Sequence, residues 1–206
     1  MTIKAVVFDI GNVLIEWNPE RFYDSVIGEE RRRAMFSETD LHGMNERVDK
    51  GEAFRDTVMA HAADLPEWRA EIEMWHDRWI EMASPAIDHS VRLLRALRRR
   101  GVPVYALSNF GVETFALAET HYPFLEEFDK RFVSGHLEMV KPYPEIYETL
   151  ERETGLAPET LLFTDDRADN IEAAQARGWG VHLFEEPEAF AARLVQEGLL
   201  TEEEAR

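Results

Sequence analysis

The first continuous apolar stretch, Ala5-Val6-Val7-Phe8-Asp9-Ile10-Gly11-Asn12-Val13-Leu14, is rich in β-branched and aromatic residues and carries one charge. Such a run predicts a parallel strand buried on both faces that delivers Asp9 at its end. Between Glu16 and Ala83 the period changes. Phe22, Val26 and Ile27, and then Trp68, Ile72, Trp75, Trp79 and Met82, recur at helical spacing, and no strand is expected there. The alternation of helix and strand resumes at Ser84-Pro85. It predicts a helix over 87–100, a strand over 102–107 ending in Ser108-Asn109, a helix over 112–119, and a short strand at Phe132-Val133. A loop over 134–140 leads to Lys141-Pro142 and a helix over 144–153, which Gly155 stops. A strand over 161–164 then ends in Asp165-Asp166, followed by a helix to Arg177, a strand over 181–184 and a last helix opened by Pro187. This order predicts an α/β fold with a parallel sheet and right-handed crossovers. The core comprises residues 1–15 and 85–206, and residues 16–84 form an all-helical insertion with hinges near 15–18 and 82–86. The tail 201–206 is acidic and expected to be frayed.

With 45% apolar residues in a chain of 206, there is enough material for one core domain with one insertion. No apolar run is long enough to span a bilayer and no signal-peptide pattern opens the chain, so a cytoplasmic location is expected. The lack of cysteine removes disulfides, thiolate metal sites and a cysteine nucleophile. Forty-one acidic against 23 basic residues give a charge of −18, which disfavours nucleic acid and anionic membranes as partners. The basic cluster of Arg92, Arg95, Arg98, Arg99 and Arg100 reads as a solvated helix end that complements the macrodipole. His42, His61 and His76 lack the spacing of a metal site and read as surface or packing histidines.

In an open parallel sheet, ligands bind beyond the carboxyl ends of the strands, so the polar residues there should meet. Those ends carry Asp9, Ser108-Asn109 and Asp165-Asp166, and the loop after the fourth strand carries Lys141. Each has a plain structural role available to it. Asp9 reads as a nucleophile or a turn cap, Ser108 as a phosphoryl ligand or a helix N-cap, and Lys141 as a site cation or a surface lysine. Asp165, Asp166 and Asp169 read as a cation site or as acids in the first turn of a helix. Taken together, the residues suit transfer of a phosphoryl group to a carboxylate. Mg²⁺ would be held by Asp9, a backbone carbonyl and one of Asp165 and Asp166. Lys141 would neutralise phosphate charge, and Ser108 with backbone N–H groups would bind its oxygens.

Phe8-Asp9-Ile10-Gly11-Asn12-Val13, Leu107-Ser108-Asn109, Lys141-Pro142 and Thr164-Asp165-Asp166-Arg167-Ala168-Asp169-Asn170 resemble, in order and spacing, the four motifs of the haloacid dehalogenase-like (HAD) hydrolase superfamily. The insertion after the first motif resembles the helical cap of its subfamily IA. The resemblance implies a Rossmann-like three-layer core with an inserted cap, an aspartate nucleophile, Mg²⁺, and phosphatase activity on a small phosphorylated metabolite, in a monomer or homodimer. It further implies Asp9 as nucleophile and metal ligand, Gly11 as a ligand through its carbonyl, and Ser108 and Asn109 as phosphoryl-binding residues. Lys141 would be the lysine of the pattern, Asp166 a direct metal ligand with Asp165 alongside, and Asn170 a residue that orients that shell.

One position departs from the pattern. Most phosphatases of this superfamily carry a proton-donating aspartate two residues after the nucleophile, where this chain has Gly11. The branch resembling alpha-D-glucose 1-phosphate phosphatases shares this Asp-x-Gly-Asn-Val form, which makes that sugar phosphate the first expected substrate. A metal-free 2-haloacid dehalogenase using Asp9 is the alternative, and a binding protein of low activity a third reading. The cap is expected to set substrate choice, with Trp17 and His42 as candidates.

Overall fold

The computed structural model describes residues 2–206. The chain runs through β1 (Ala5–Phe8) and β2 (Ile15–Trp17) into a helical block of α1 (Pro19–Ile27), α2 (Glu29–Thr39), α3 (Leu41–Asp49), α4 (Phe54–Asp64), α5 (Arg69–Asp77) and α6 (Trp79–Met82). It returns through β3 (Ala83–Ala86), α7 (Asp88–Arg99), β4 (Val104–Ser108), α8 (Val112–His121), β5 (Lys130–Val133) and the short α9 (Ser134–Leu137). It then passes through α10 (Pro144–Thr154), β6 (Leu161–Asp165), α11 (Ala168–Ala176), β7 (Gly180–Leu183) and α12 (Pro187–Gln196).

Five strands form one parallel sheet in the order β5-β4-β1-β6-β7. Alternation along β1 and its neighbours sends Val6, Phe8, Val104, Ala106 and Leu162 to one face, into a cluster with Leu93, Leu97, Phe190 and Leu194 of α7 and α12. Ala5, Val7, Tyr105, Leu107 and Phe163 go to the other face, against Tyr147 and Leu150 of α10 and Ile171 of α11. The core is therefore the expected three-layer α/β arrangement. The central strand is buried on both sides, which is why β1 reads as an unbroken apolar run. Successive crossovers build outward from β1 first through β4 and then through β6, so the strand order reverses at β1. A crevice opens above such a reversal.

Four expectations are corrected. Strand β1 stops at Phe8, and the chain forms two strands near the hinges where none was expected. Trp17 of β2 pairs antiparallel with Ala83 of β3, and Ile15 with Ala86. Three or four residues carry too little periodicity to stand out, and Pro85 argues against a strand. The segment 134–140 begins with one helical turn, α9. The acidic tail is packed: Ala205 is buried, its carbonyl accepts from His89 Nε2 at 2.8 Å, and the Glu204 carboxylate accepts from the Thr201 N–H at 2.8 Å. The arginine cluster helps hold it, since Arg92 donates to the Arg206 carbonyl and Arg100 lies 3.9 Å from Glu204. Arg95 pairs with Glu127 at 2.6 Å.

Inside the helical block, Trp68, Ile72, Trp75, Trp79 and Met82 are all buried, as a packed stripe requires. Trp75 Nε1 donates to Asn45 at 3.2 Å, and Trp68 Nε1 to Glu38 at 3.0 Å. His61 contacts the Thr39 carbonyl and His76 packs its ring on Phe54, so these histidines serve packing.

Candidate active site

Strand β1 ends one residue before Asp9, whose N–H donates to the Thr164 carbonyl of β6 at 2.9 Å. The acid is thus fixed at the sheet's reversal point. Its Oδ1 accepts three donors: the Ile10 N–H at 2.7 Å, Ser108 Oγ at 2.6 Å and Lys141 Nζ at 3.0 Å. Among the described residues, no hydrogen-bond donor meets Oδ2. One carboxylate oxygen is therefore held by three donors, while the other is free of them among the described residues.

Lys141 is buried, and its Nζ lies 2.5 Å from Asp165 Oδ2 as well as against Asp9. Asp165 is fully buried and fully engaged. It accepts the Arg167 N–H at 2.8 Å and Asn170 Nδ2 at 3.0 Å in addition to the lysine. Asp166 is half-buried and accepts from Asn12 Nδ2 at 2.9 Å, while Asn12 Oδ1 accepts the Trp17 N–H at 2.9 Å. Asn12 thereby links the acid to the start of the helical block. Its φ of 54° is the left-handed conformation that asparagine tolerates better than most residues.

Electrostatics follow from burial. Desolvation pushes the Asp9 carboxyl well above the usual range, and the Lys141 charge and the Ser108 hydrogen bond pull the other way. Burial works to discharge Lys141, but the charges of Asp165 and Asp9 outweigh it and raise the ammonium's pKa. Burial also raises Asp166, opposed by the hydrogen bond from Asn12. Oxygens of Asp9, Asp165 and Asp166 lie within 4.8 Å of one another, and Lys141 pairs with two of the three, Asp9 and Asp165.

Above these groups lies a cavity of about 460 Å³. Trp17, Trp79 and Phe110 line one part of it, with ring centroids 5.6 Å apart for Trp17–Trp79 and 5.5 Å for Trp79–Phe110. Asn45, Glu46, Asp49 and Lys50 from the end of α3 line another.

The sequence model of the haloacid dehalogenase-like hydrolases matches residues 3–178, which include all of the strand-end residues above. The chain belongs to this hydrolase family. A sesquiterpene phosphatase from Aspergillus oryzae is 30% identical over 185 residues, covering 88% of this chain and 90% of that protein. A HAD family enzyme from Bacteroides thetaiotaomicron, solved with magnesium and inorganic phosphate, shares the fold with a TM-score of 0.68 at 24% identity, covering 89% of this chain and 94% of that one. An L-2-haloacid dehalogenase from Xanthobacter autotrophicus, solved with chloropropionic acid covalently bound, has a TM-score of 0.64 at 19% identity, covering 97% and 85% of the two chains. The fold is thus shared with a HAD family enzyme solved with magnesium and phosphate and with an L-2-haloacid dehalogenase.

The fold brings Asp9, Ser108, Lys141, Asp165 and Asp166 of the family motifs together, with Gly11 on the same cavity wall. It uses Asn109 differently from a side chain free to hold a phosphoryl group. Asn109 Nδ2 donates to the Lys141 carbonyl at 3.0 Å, and its Oδ1 accepts the Lys141 N–H at 2.8 Å. The carboxamide is occupied in clamping the lysine's main chain, because Lys141 sits on a loop and needs an anchor outside regular structure. His42 is absent from the cavity lining and packs on Phe36 and Trp75. Asp49 was not singled out from sequence, although it lines the cavity. The available signal was an acid in the last turn of α3, where the macrodipole disfavours negative charge.

Proposed function

We propose that the protein is a Mg²⁺-dependent phosphatase that hydrolyses a small phosphate monoester through an aspartyl-phosphate on Asp9. The observation that carries this reading is the charge balance at the strand ends. Three carboxylates lie with oxygens within 4.8 Å of one another, while the buried ammonium of Lys141 pairs with only Asp9 and Asp165, so Asp166 has no ion pair among the described residues. A set of hard oxygen donors in a partly buried crevice suits Mg²⁺, which keeps several waters of its own. Metal-free displacement of halide from carbon has no use for Asp166.

Asp9, Asp166 and the Gly11 carbonyl would hold the ion, since the oxygens of Asp165 are already bonded to protein donors. Bound there, the ion supplies charge neutralisation for the phosphate. The remaining work belongs to the chain. Asp9 attacks phosphorus, Asp165 and the Asn109 clamp hold Lys141 against the incoming charge, and Ser108 fixes the rotamer of Asp9 and binds a phosphoryl oxygen together with the main chain that follows it. Residues 16–84 serve as a cap that covers the strand ends, and its Trp17 and Trp79 meet the substrate's alcohol portion.

A sugar phosphate, alpha-D-glucose 1-phosphate first, is the proposed substrate class, on the strength of the Asp-x-Gly-Asn-Val form. The aromatic wall and the sesquiterpene phosphatase relative add isoprenoid phosphates to the panel. Orthophosphate release from such a panel should require Mg²⁺ and be abolished by a chelator. Turnover indifferent to the chelator would remove the metal from this reading. Halide release from L-2-chloropropionate without any phosphate release would replace it with the dehalogenase.

A further inference from the structure

Gly11 leaves the core without an acid beside the leaving group, and an alcohol expelled as an alkoxide near neutral pH is a severe barrier. A general acid is typically worth about 10²–10⁴-fold in rate. A Cβ built at Gly11 meets no atom within 4 Å, so the core leaves open space at that position. The missing group must come from another part of the cavity wall.

The lining offers few free proton donors. Glu16 pairs with Arg21, Asp169 with Arg167, and Asp166 is bonded to Asn12 within the carboxylate cluster. Glu46 is largely exposed and lies 4.0 Å from Lys50. Asp49 differs from all of these. It stands at the end of α3, has no ion pair among the described residues, and accepts from Asn45 Nδ2 at 3.0 Å. Asn45 is itself oriented by Trp75 Nε1 at 3.2 Å.

The main chain at Asp49 is tied to the core. Ser134 Oγ donates to the Asp49 carbonyl at 2.6 Å and accepts the Phe110 N–H at 2.8 Å. Glycines permit this docking, because a Cβ at Gly111 would stand 2.5 Å from Val48 Cγ1 and one at Gly51 would stand 3.1 Å from the Gly135 carbonyl. The carboxyl is thereby held over the loop that follows Ser108. Burial first, then the charges of Glu46 and Asp9, push its pKa up to about 7, against the Gly111 N–H and Asn45, which pull it down. The C-terminal end of the α3 dipole also favours the neutral acid.

We propose that Asp49, supplied by the helical block, is the general acid and base of the reaction, in place of the acid that Gly11 lacks. In the first step a bond forms between an Asp9 carboxylate oxygen and phosphorus while the phosphorus–oxygen bond to the leaving group breaks. The Asp49 proton passes to the departing oxygen, giving a neutral alcohol and an Asp49 carboxylate. In the second step water attacks the phosphorus of the aspartyl-phosphate and returns its proton to Asp49. Orthophosphate leaves and the Asp9 carboxylate is restored. No reactant other than the ester and water is needed.

This proposal rests on the phosphatase reading, and the test separates the two. Wild type and Asp49→Asn are compared on 4-nitrophenyl phosphate, whose leaving group needs no proton, and on the best alkyl ester of the panel. The expected result is a loss in kcat/KM of about 10²–10³-fold for the alkyl ester and under about fivefold for the aryl ester. With the aryl ester the variant should also release one equivalent of nitrophenol in a burst before a slower steady state, because its second step lacks the base. The ratio of the two esters within one preparation is independent of the folded fraction. Equal losses, or no loss on either ester, would overturn the role of Asp49 alone. Absence of phosphate release by wild type from every ester would overturn the phosphatase reading, and this proposal with it.

Discussion

Asp49 shows how one residue's surroundings can set both a stability cost and a chemical role. A carboxyl whose folded-state pKa is raised binds its proton more tightly in the native than in the unfolded chain, so native stability falls as pH climbs from the unfolded value towards the folded one. Asparagine carries no such charge. Asp49→Asn should therefore gain on wild type progressively from about pH 4 to pH 7, reaching a melting temperature a few degrees higher above pH 7. Melting curves across that range check the sign, and a difference that shrinks with rising pH would contradict it. Glu46, Lys50 and Asp9 face the same group, and all three are retained in the variant. Sequence could not assign Asp49, since its surroundings come from the docking of α3 near Gly111 and Gly135, far away in the chain. The strand-end residues were legible for the opposite reason: each follows its own apolar strand, and a parallel sheet brings such ends together whatever the loops do.

The glycines at the seam between elements decide how closely the helical block approaches. A Cβ at Gly135 would lie 2.8 Å from the Phe110 carbonyl and 2.9 Å from the Val112 N–H, both backbone atoms that cannot swing aside. Gly135→Ala should therefore shift the loop between β4 and α8 and cost about 1–3 kcal/mol of stability. Because that loop follows Ser108, kcat/KM should fall for aryl and alkyl esters alike, unlike the selective loss expected of Asp49→Asn. Chemical denaturation and the same kinetic pair measure both effects. Helices with strong periodicity, such as α7 and α10, fall within two residues of their sequence-based bounds. Strands β2 and β3 escaped notice because their pairing is a tertiary event between segments more than sixty residues apart. The tail escaped for the same reason, since what holds it is His89 and Arg92 of α7.

At the scale of the molecule, two unlike parts meet over one crevice. The sheet presents the fixed charges of Asp9, Lys141, Asp165 and Asp166, the helical block presents Trp79 and Asp49, and the strand leading into it presents Trp17. The chain crosses between them twice, at β2 and β3. There the Asn18 N–H donates to the Met82 carbonyl at 2.9 Å and the Ile87 N–H to the Leu14 carbonyl at 2.8 Å, so the two crossings are tied to each other. This pair of strands fixes the register of the block over the site. In the proposed mechanism the sheet supplies the attack on phosphorus and the helices the choice of alcohol. Everything in that account turns on Asp9 as the atom source for the covalent bond. The most direct measurement is acid quench of the enzyme during turnover of a phosphate ester with Mg²⁺, followed by mass-spectrometric mapping of its peptides. The account predicts a phosphoryl group on the peptide that contains Asp9, enriched in Asp49→Asn and absent from Asp9→Asn, which should release no phosphate. Sustained phosphate release by Asp9→Asn, or turnover in which no peptide carries the group, would contradict it.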